Sequence, residues 1–184
     1  MKTDFNTAIA ELGEVVDRID NSAIETGCQA IQEAGKIVLY GCGREGLQMR
    51  GFAMRLYHLG FDVAVQGDMT TPPLGPGDLF IVSDGPGRLA TVEALTRVAK
   101  NAGASVLLLT AEPTAAIAGR ADRLIAIPAQ TMAKDQGDTI SSVLPMGSVY
   151  EGTLFLLFEI MVLKLRDRIR SDAQAMRARH TNLE

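Results

Sequence analysis

Cysteine is scarce. Cys28 and Cys42 are the only two in 184 residues, which excludes a disulfide framework and a Cys-rich metal site. No long basic run occurs and the net charge is −4, so the chain lacks the electrostatic footprint of a nucleic-acid binder. The first residues, Met1-Lys-Thr-Asp-Phe5, hold no apolar core of the kind a secretory leader needs. The longest apolar run, Leu154 to Leu165, is broken by Glu159 and is too short to span a bilayer. A cytoplasmic protein without a membrane partner is the expectation. With 47% hydrophobic and 22% charged residues the balance is that of an ordinary globular chain. The length suits one domain, 1–184.

What the chain does have is one stretch that organises the rest: Lys36-Ile-Val-Leu-Tyr-Gly-Cys-Gly-Arg-Glu-Gly46. An apolar, partly β-branched run reads as a buried strand. Gly41, Gly43 and Gly46 allow a tight turn, and helical spacing follows. Such a turn suits an anion, because the first helical N–H groups are unpaired and the helix dipole is positive there. Gly41-x-Gly43-x-x-Gly46 formally matches a dinucleotide fingerprint, but Asp68, the acidic partner at the right distance, lies past the second strand in a turn-rich segment. The match is weak.

The remaining pattern alternates. Strands are expected over 36–41, 61–66, 78–83, 104–110 and 122–128. Helices are expected over 45–58, 88–102 and 113–118, with Gly60 as a stop signal. Continuous apolar strands separated by helices predict a parallel sheet covered on both faces, with ligands at the carboxyl ends of the strands. The turns after the first and third strands, 41–46 and 84–87, lie at that edge. Two helices precede the sheet. The first is capped by Thr3 or Asp4, and the second is capped by Ser22 and runs to about Ala34. Residues 129–144 read as a loop or lid. Pro145 opens a helix to about Arg166 that is apolar almost all round, and such a helix is buried, here in a subunit interface. The tail 166–184 is charged and helical. Cys42 reads as a small residue packed under the loop, and His58 as a helix-end histidine favoured by the dipole.

Several segments carry a resemblance: Gly41-Cys-Gly-Arg-Glu-Gly46, Phe52-Ala-Met-Arg-Leu-Tyr-His-Leu-Gly60, Gly67-Asp-Met-Thr-Thr-Pro72, Leu144-Pro-Met-Gly-Ser-Val-Tyr-Glu151 and Ala178-Arg-His-Thr-Asn-Leu-Glu184. In their order and spacing the chain resembles the sugar isomerase (SIS) domain family and, within it, the 6-phospho-3-hexuloisomerases. The resemblance implies a three-layer αβα sandwich around a five-stranded parallel, flavodoxin-like sheet with helical extensions at both ends. It implies metal-free isomerisation of a sugar phosphate without a cofactor. A carbonyl would move between adjacent carbons through an enediol, from 3-hexulose 6-phosphate to fructose 6-phosphate. A homotetramer is implied as well. Glu151 matches the family's base and His180 a histidine of its tail. From the residues alone, Glu151 reads first as a helix-start acid favoured by the dipole, and His180 reads equally as an exposed tail residue.

The implied substrate-binding residues are Gly41, Gly43, Arg44, Glu45, Ser83, Asp84, Gly85, Gly87 and Arg88. Related domains place hydroxyls in both loops, where this chain has Glu45 and Ser83-Asp-Gly-Pro-Gly-Arg88. A carboxylate beside a phosphate is repulsive. Arg88 and Arg44 could supply charge-assisted bonds instead, and Glu45 could face outward as a helix-start acid. The alternative function is a non-catalytic SIS domain that binds a phosphosugar or related polyol as effector.

Overall fold

A computed structural model describes residues 3–137 and 141–183. The apolar runs form β1 (Ile37–Gly41), β2 (Val63–Val65), β3 (Leu79–Ser83), β4 (Ser105–Thr110) and β5 (Arg123–Ala126). All pair in parallel, in the order β2-β1-β3-β4-β5. Alternate side chains go to opposite faces. Ile37, Leu39, Leu79, Ile81, Leu107, Leu109 and Ile125 join one core cluster, and Val38, Phe80, Val82, Val106 and Leu108 join the other. Each strand is apolar on both faces because both faces are covered.

The helices are α1 (Asp4–Val16), α2 (Asn21–Glu33), α3 (Gly43–Leu59), α4 (Ala90–Asn101), α5 (Ser148–Arg168) and α6 (Ala173–Ala178). Val92 and Ala99 of α4 pack in the second cluster, while α2, α3 and α5 cover the first. The architecture is the expected three-layer sandwich with helical extensions. Strand order reverses at β1 and β3, which is where open α/β sheets bind ligands.

Several local expectations need correction. Asp20, not Ser22, caps α2: its Oδ1 accepts from the Ser22 N–H at 2.8 Å. The helix expected over 113–118 is a series of i→i+3 turns ending in a 3₁₀ turn, Ala118–Arg120. Pro113 opens it, and Ile117 is its only deeply buried large anchor. Pro145–Gly147 forms a separate 3₁₀ turn, so α5 begins only at Ser148.

The long apolar helix is not uniformly buried. Leu154, Leu157, Phe158, Met161, Val162 and Leu165 lie in the chain's own core, whereas Phe155, Leu156, Ile160 and Leu163 are exposed. Pro145–Arg168 is also long and apolar enough, by length and composition alone, to cross a membrane, with half of its most apolar window buried within the chain.

α3 and α5 lie side by side in the same direction. The Phe52 and Phe158 rings stack with centroids 4.3 Å apart, and Arg55 grips Glu159 through two bonds of 3.0 and 3.2 Å. Their first turns therefore meet at the same edge of the sheet.

Candidate active site

The turn after β1 drops directly into α3. Gly46 makes this possible, because a Cβ there would lie 2.4 Å from the Gly41 carbonyl oxygen. Gly41 ends β1 and Gly43 opens α3 at φ +54°. Arg44 then reaches across to α5. One guanidinium nitrogen donates to the Ser148 hydroxyl at 2.6 Å; the other donates to the Met146 carbonyl and lies 3.2 Å from Glu151 Oε1.

Glu151 thus sits in the first turn of α5 with one oxygen held by Arg44. Its other oxygen, Oε2, is buried and has no hydrogen-bond partner among the described residues. Burial pushes the carboxyl above its ordinary range, against the pull of its own backbone N–H and of Arg44. A half-anchored, partly desolvated carboxylate of raised basicity can accept a proton from carbon.

Glu45 does not face outward. It is buried between the two loops, where it accepts from the Ser83 hydroxyl at 2.5 Å and the Gly85 N–H at 3.0 Å. Burial raises its pKa, and those two bonds oppose the shift. Asp84 is fully buried and accepts from the N–H groups of Arg88 and Leu89 at 3.1 Å, tying the turn after β3 to the start of α4. Burial raises its pKa too, against these bonds. Gly87 is buried at φ +69°. The Arg88 side chain is exposed at the rim.

Arg44, Glu45, Arg88, Thr131, Tyr150 and Glu151 line one cavity of about 940 Å³, with Cys42 and Gly43 at its wall, whereas Gly41, Ser83, Asp84, Gly85 and Gly87 are not among the residues that line it. Cys42 is half-buried, its sulfur 3.5 Å from the Tyr40 hydroxyl. The 3₁₀ turn Met132–Lys134 closes one side. Residues 138–140 of the expected lid lie outside the described residues.

Tyr150 and Thr131 are among the lining residues that escaped the sequence reading. Tyr150 is buried, with its hydroxyl 3.2 Å from Ser83 Oγ. Thr131 has a buried hydroxyl without a partner among the described residues. Tyr150 adjoins Glu151, a signal that was present; nothing in the polar stretch around Thr131 marks it.

His180 is not brought to Glu151 within one chain. Its ring lies 5.2 Å from that of His58, and Arg179 donates to the His58 carbonyl at 3.3 Å. His58 is near the C-terminal end of α3, while the cavity is at its N-terminus. The 17 residues of α3 separate the two places by about 25 Å, at 1.5 Å per residue.

The sequence profile of the SIS domain matches residues 30–154, which takes in the whole sheet, both loops and Glu151. The chain belongs to the SIS domain family. Curated relatives agree along nearly the whole chain. A 3-hexulose-6-phosphate isomerase of Mycobacterium gastri is 36% identical over 174 residues, 95% of this chain and 86% of the relative. One of Bacillus subtilis is 35% identical over all of both chains. Among solved structures, a Methanococcus jannaschii protein for which 3-hexulose-6-phosphate isomerase function was inferred superposes with a TM-score of 0.82 at 28% identity. That match covers 98% of this chain and 97% of the other. The order β2-β1-β3-β4-β5 and the loop positions described above are therefore those of an SIS domain.

Proposed function

We propose that this SIS domain is a sugar-phosphate isomerase that interconverts 3-hexulose 6-phosphate and fructose 6-phosphate. Full-length similarity to enzymes of that name supports the reaction. The single observation that carries the mechanism is Glu151, a cavity-lining carboxylate half-anchored on Arg44, with Oε2 buried and unpartnered among the described residues. The Glu151 carboxylate takes the proton from C2 of the 3-ketose. Electrons move into a C2–C3 double bond and the C3 oxygen gains a proton, which gives the enediol. The C2 oxygen then gives up its proton, the C2 carbonyl forms, and Glu151 returns a proton to C3.

The phosphate is held by Arg88, an exposed cation at the cavity rim. His180 assists ring opening or oxygen proton transfer from a second copy of the chain, because in its own chain it sits at the far end of α3. The exposed apolar stripe of α5 supports a homo-oligomer. Glu151 moves the protons without a metal, so dialysis against a chelator leaves turnover unchanged. The deciding experiment incubates the purified chain with 3-hexulose 6-phosphate and follows fructose 6-phosphate. Absence of turnover overturns the reading in favour of an effector-binding SIS domain.

A further inference from the structure

The Ser83 hydroxyl and the Gly85 N–H converge on one spot between the turns that follow β1 and β3. Both donate to Glu45, Ser83 at 2.5 Å and Gly85 at 3.0 and 3.3 Å to its two oxygens. A hydroxyl and a backbone amide aimed at one point are the equipment of an anion subsite. In this chain the subsite is filled from within, by a carboxylate that is 8% exposed and lines the same cavity as Glu151 and Arg88. The neighbouring donors are filled the same way, because Asp84 takes the N–H groups of Arg88 and Leu89. Of the two arginines at the cavity, Arg44 is committed to Glu151, Met146 and Ser148. Only the Arg88 side chain carries no hydrogen bond or ion pair among the described residues.

We propose that Glu45 is a specificity-determining residue. It is the chain's built-in occupant of an anion subsite, bars phosphate from the inner wall of the cavity, and confines the phosphoryl group of a sugar phosphate to Arg88 at the rim. The inner wall then meets the hydroxyl end of the sugar, since a carboxylate accepts from hydroxyls and repels a phosphate. The proposal rests on reading the cavity as a sugar-phosphate site. It goes beyond that reading in assigning the two ends of the substrate to opposite walls.

Calorimetric titration of the full chain with inorganic phosphate tests it. Glu45→Ser leaves the two donors unfilled. It is expected to bind inorganic phosphate at least about tenfold more tightly than wild type, the lower end for charge-assisted bonds. The gain persists when Arg88→Ala is added to both members of the comparison. Glu45→Gln fills the same space and stays within about threefold of wild type, the size of one modest surface interaction. A folded Glu45→Ser protein with no gain overturns the proposal. So does an equal gain in Glu45→Gln, or a gain lost in the Arg88→Ala background, since either result reduces Glu45 to a diffuse repelling charge. Arg88→Ala alone needs no change at Glu45, and it must weaken fructose 6-phosphate binding at least about tenfold. Unchanged affinity there overturns the proposal even if Glu45→Ser does not fold. Failure of the isomerase reading shows separately, as absent turnover of 3-hexulose 6-phosphate, while the phosphate titrations still report on Glu45.

Discussion

The role proposed for Glu151 rests on the unequal treatment of its two oxygens: Arg44 holds Oε1 while Oε2 is buried without a partner among the described residues. Glu151→Gln keeps the shape and removes proton acceptance. Turnover should fall at least about 10²-fold, the lower end of a general-base contribution, with binding within a few-fold of wild type. In deuterated water the wild type should place deuterium on the product carbon and the variant should not. Full activity in Glu151→Gln would return Glu151 to the role of helix-start acid. The pH profile carries a second test. Burial raises the Glu151 pKa and Arg44 lowers it, and the base works deprotonated. Activity is therefore present above the Glu151 pKa and lost as pH falls through it, at a pH above the ordinary glutamate range. Removing the cation in Arg44→Met raises the pKa further, so the acid limb of kcat/KM should move to higher pH. A limb that stays put would show that the titrating group is not Glu151.

The turn that delivers Glu151 is itself under constraint. Met146 and Gly147 both have positive φ, 57° and 70°, and Arg44 donates to the Met146 carbonyl. A Cβ at Gly147 would lie 2.2 Å from the Met132 nitrogen, so the start of α5 and the wall carrying Thr131 touch backbone to backbone. Gly147→Ala adds both a clash and left-handed strain. It should cost more than about 2 kcal/mol in denaturant unfolding and should lower turnover in whatever fraction remains folded. A variant of wild-type stability would mean that the turn can open without consequence. Within one chain, α5 divides its apolar surface. One stripe of it serves the chain's own core, and Phe155 and Ile160, 56% and 45% exposed, face away from it.

The exposed face of α5, with Phe5 and Ile9 of α1 also exposed, is the surface proposed above for assembly. A test of this must avoid the core-facing residues of α5, such as Leu157, which is 3% exposed inside the chain and where a charge would unfold the core. Phe155→Glu with Ile160→Glu leaves the core intact. The pair should convert an oligomer into a folded monomer by sedimentation, and an unchanged sedimentation coefficient would place the interface elsewhere. The tail allows a sharper test. If His180 serves a second copy's cavity, two inactive or slowed variants, Glu151→Gln and His180→Ala, should regain turnover when subunits are exchanged, because some hybrid sites then hold both groups. No recovery on mixing would separate His180 from the chemistry.

Sequence alone determined the sandwich. The alternation of apolar strands with helices is a local signal, repeated five times, and parallel pairing follows once each strand is apolar on both faces. Gly41, Gly43 and Gly46 marked the loop, and Glu151 was singled out only through the motif that carries the family resemblance. What the tertiary structure decided are relations between distant segments. Glu45 could have faced solvent or the interior by sequence. The convergence of Ser83 and Gly85, 38 and 40 residues on, turns it inward. Tyr150 and Thr131 became lining residues only when α5 and the 129–137 segment closed on the same strand edge. His180 and Glu151, 29 residues apart, were drawn to opposite ends of α3 because α6 docks on that helix. Periodicity reports which face of an element is apolar. It does not report which other element will cover that face, and the charge balance of this cavity depends on that choice.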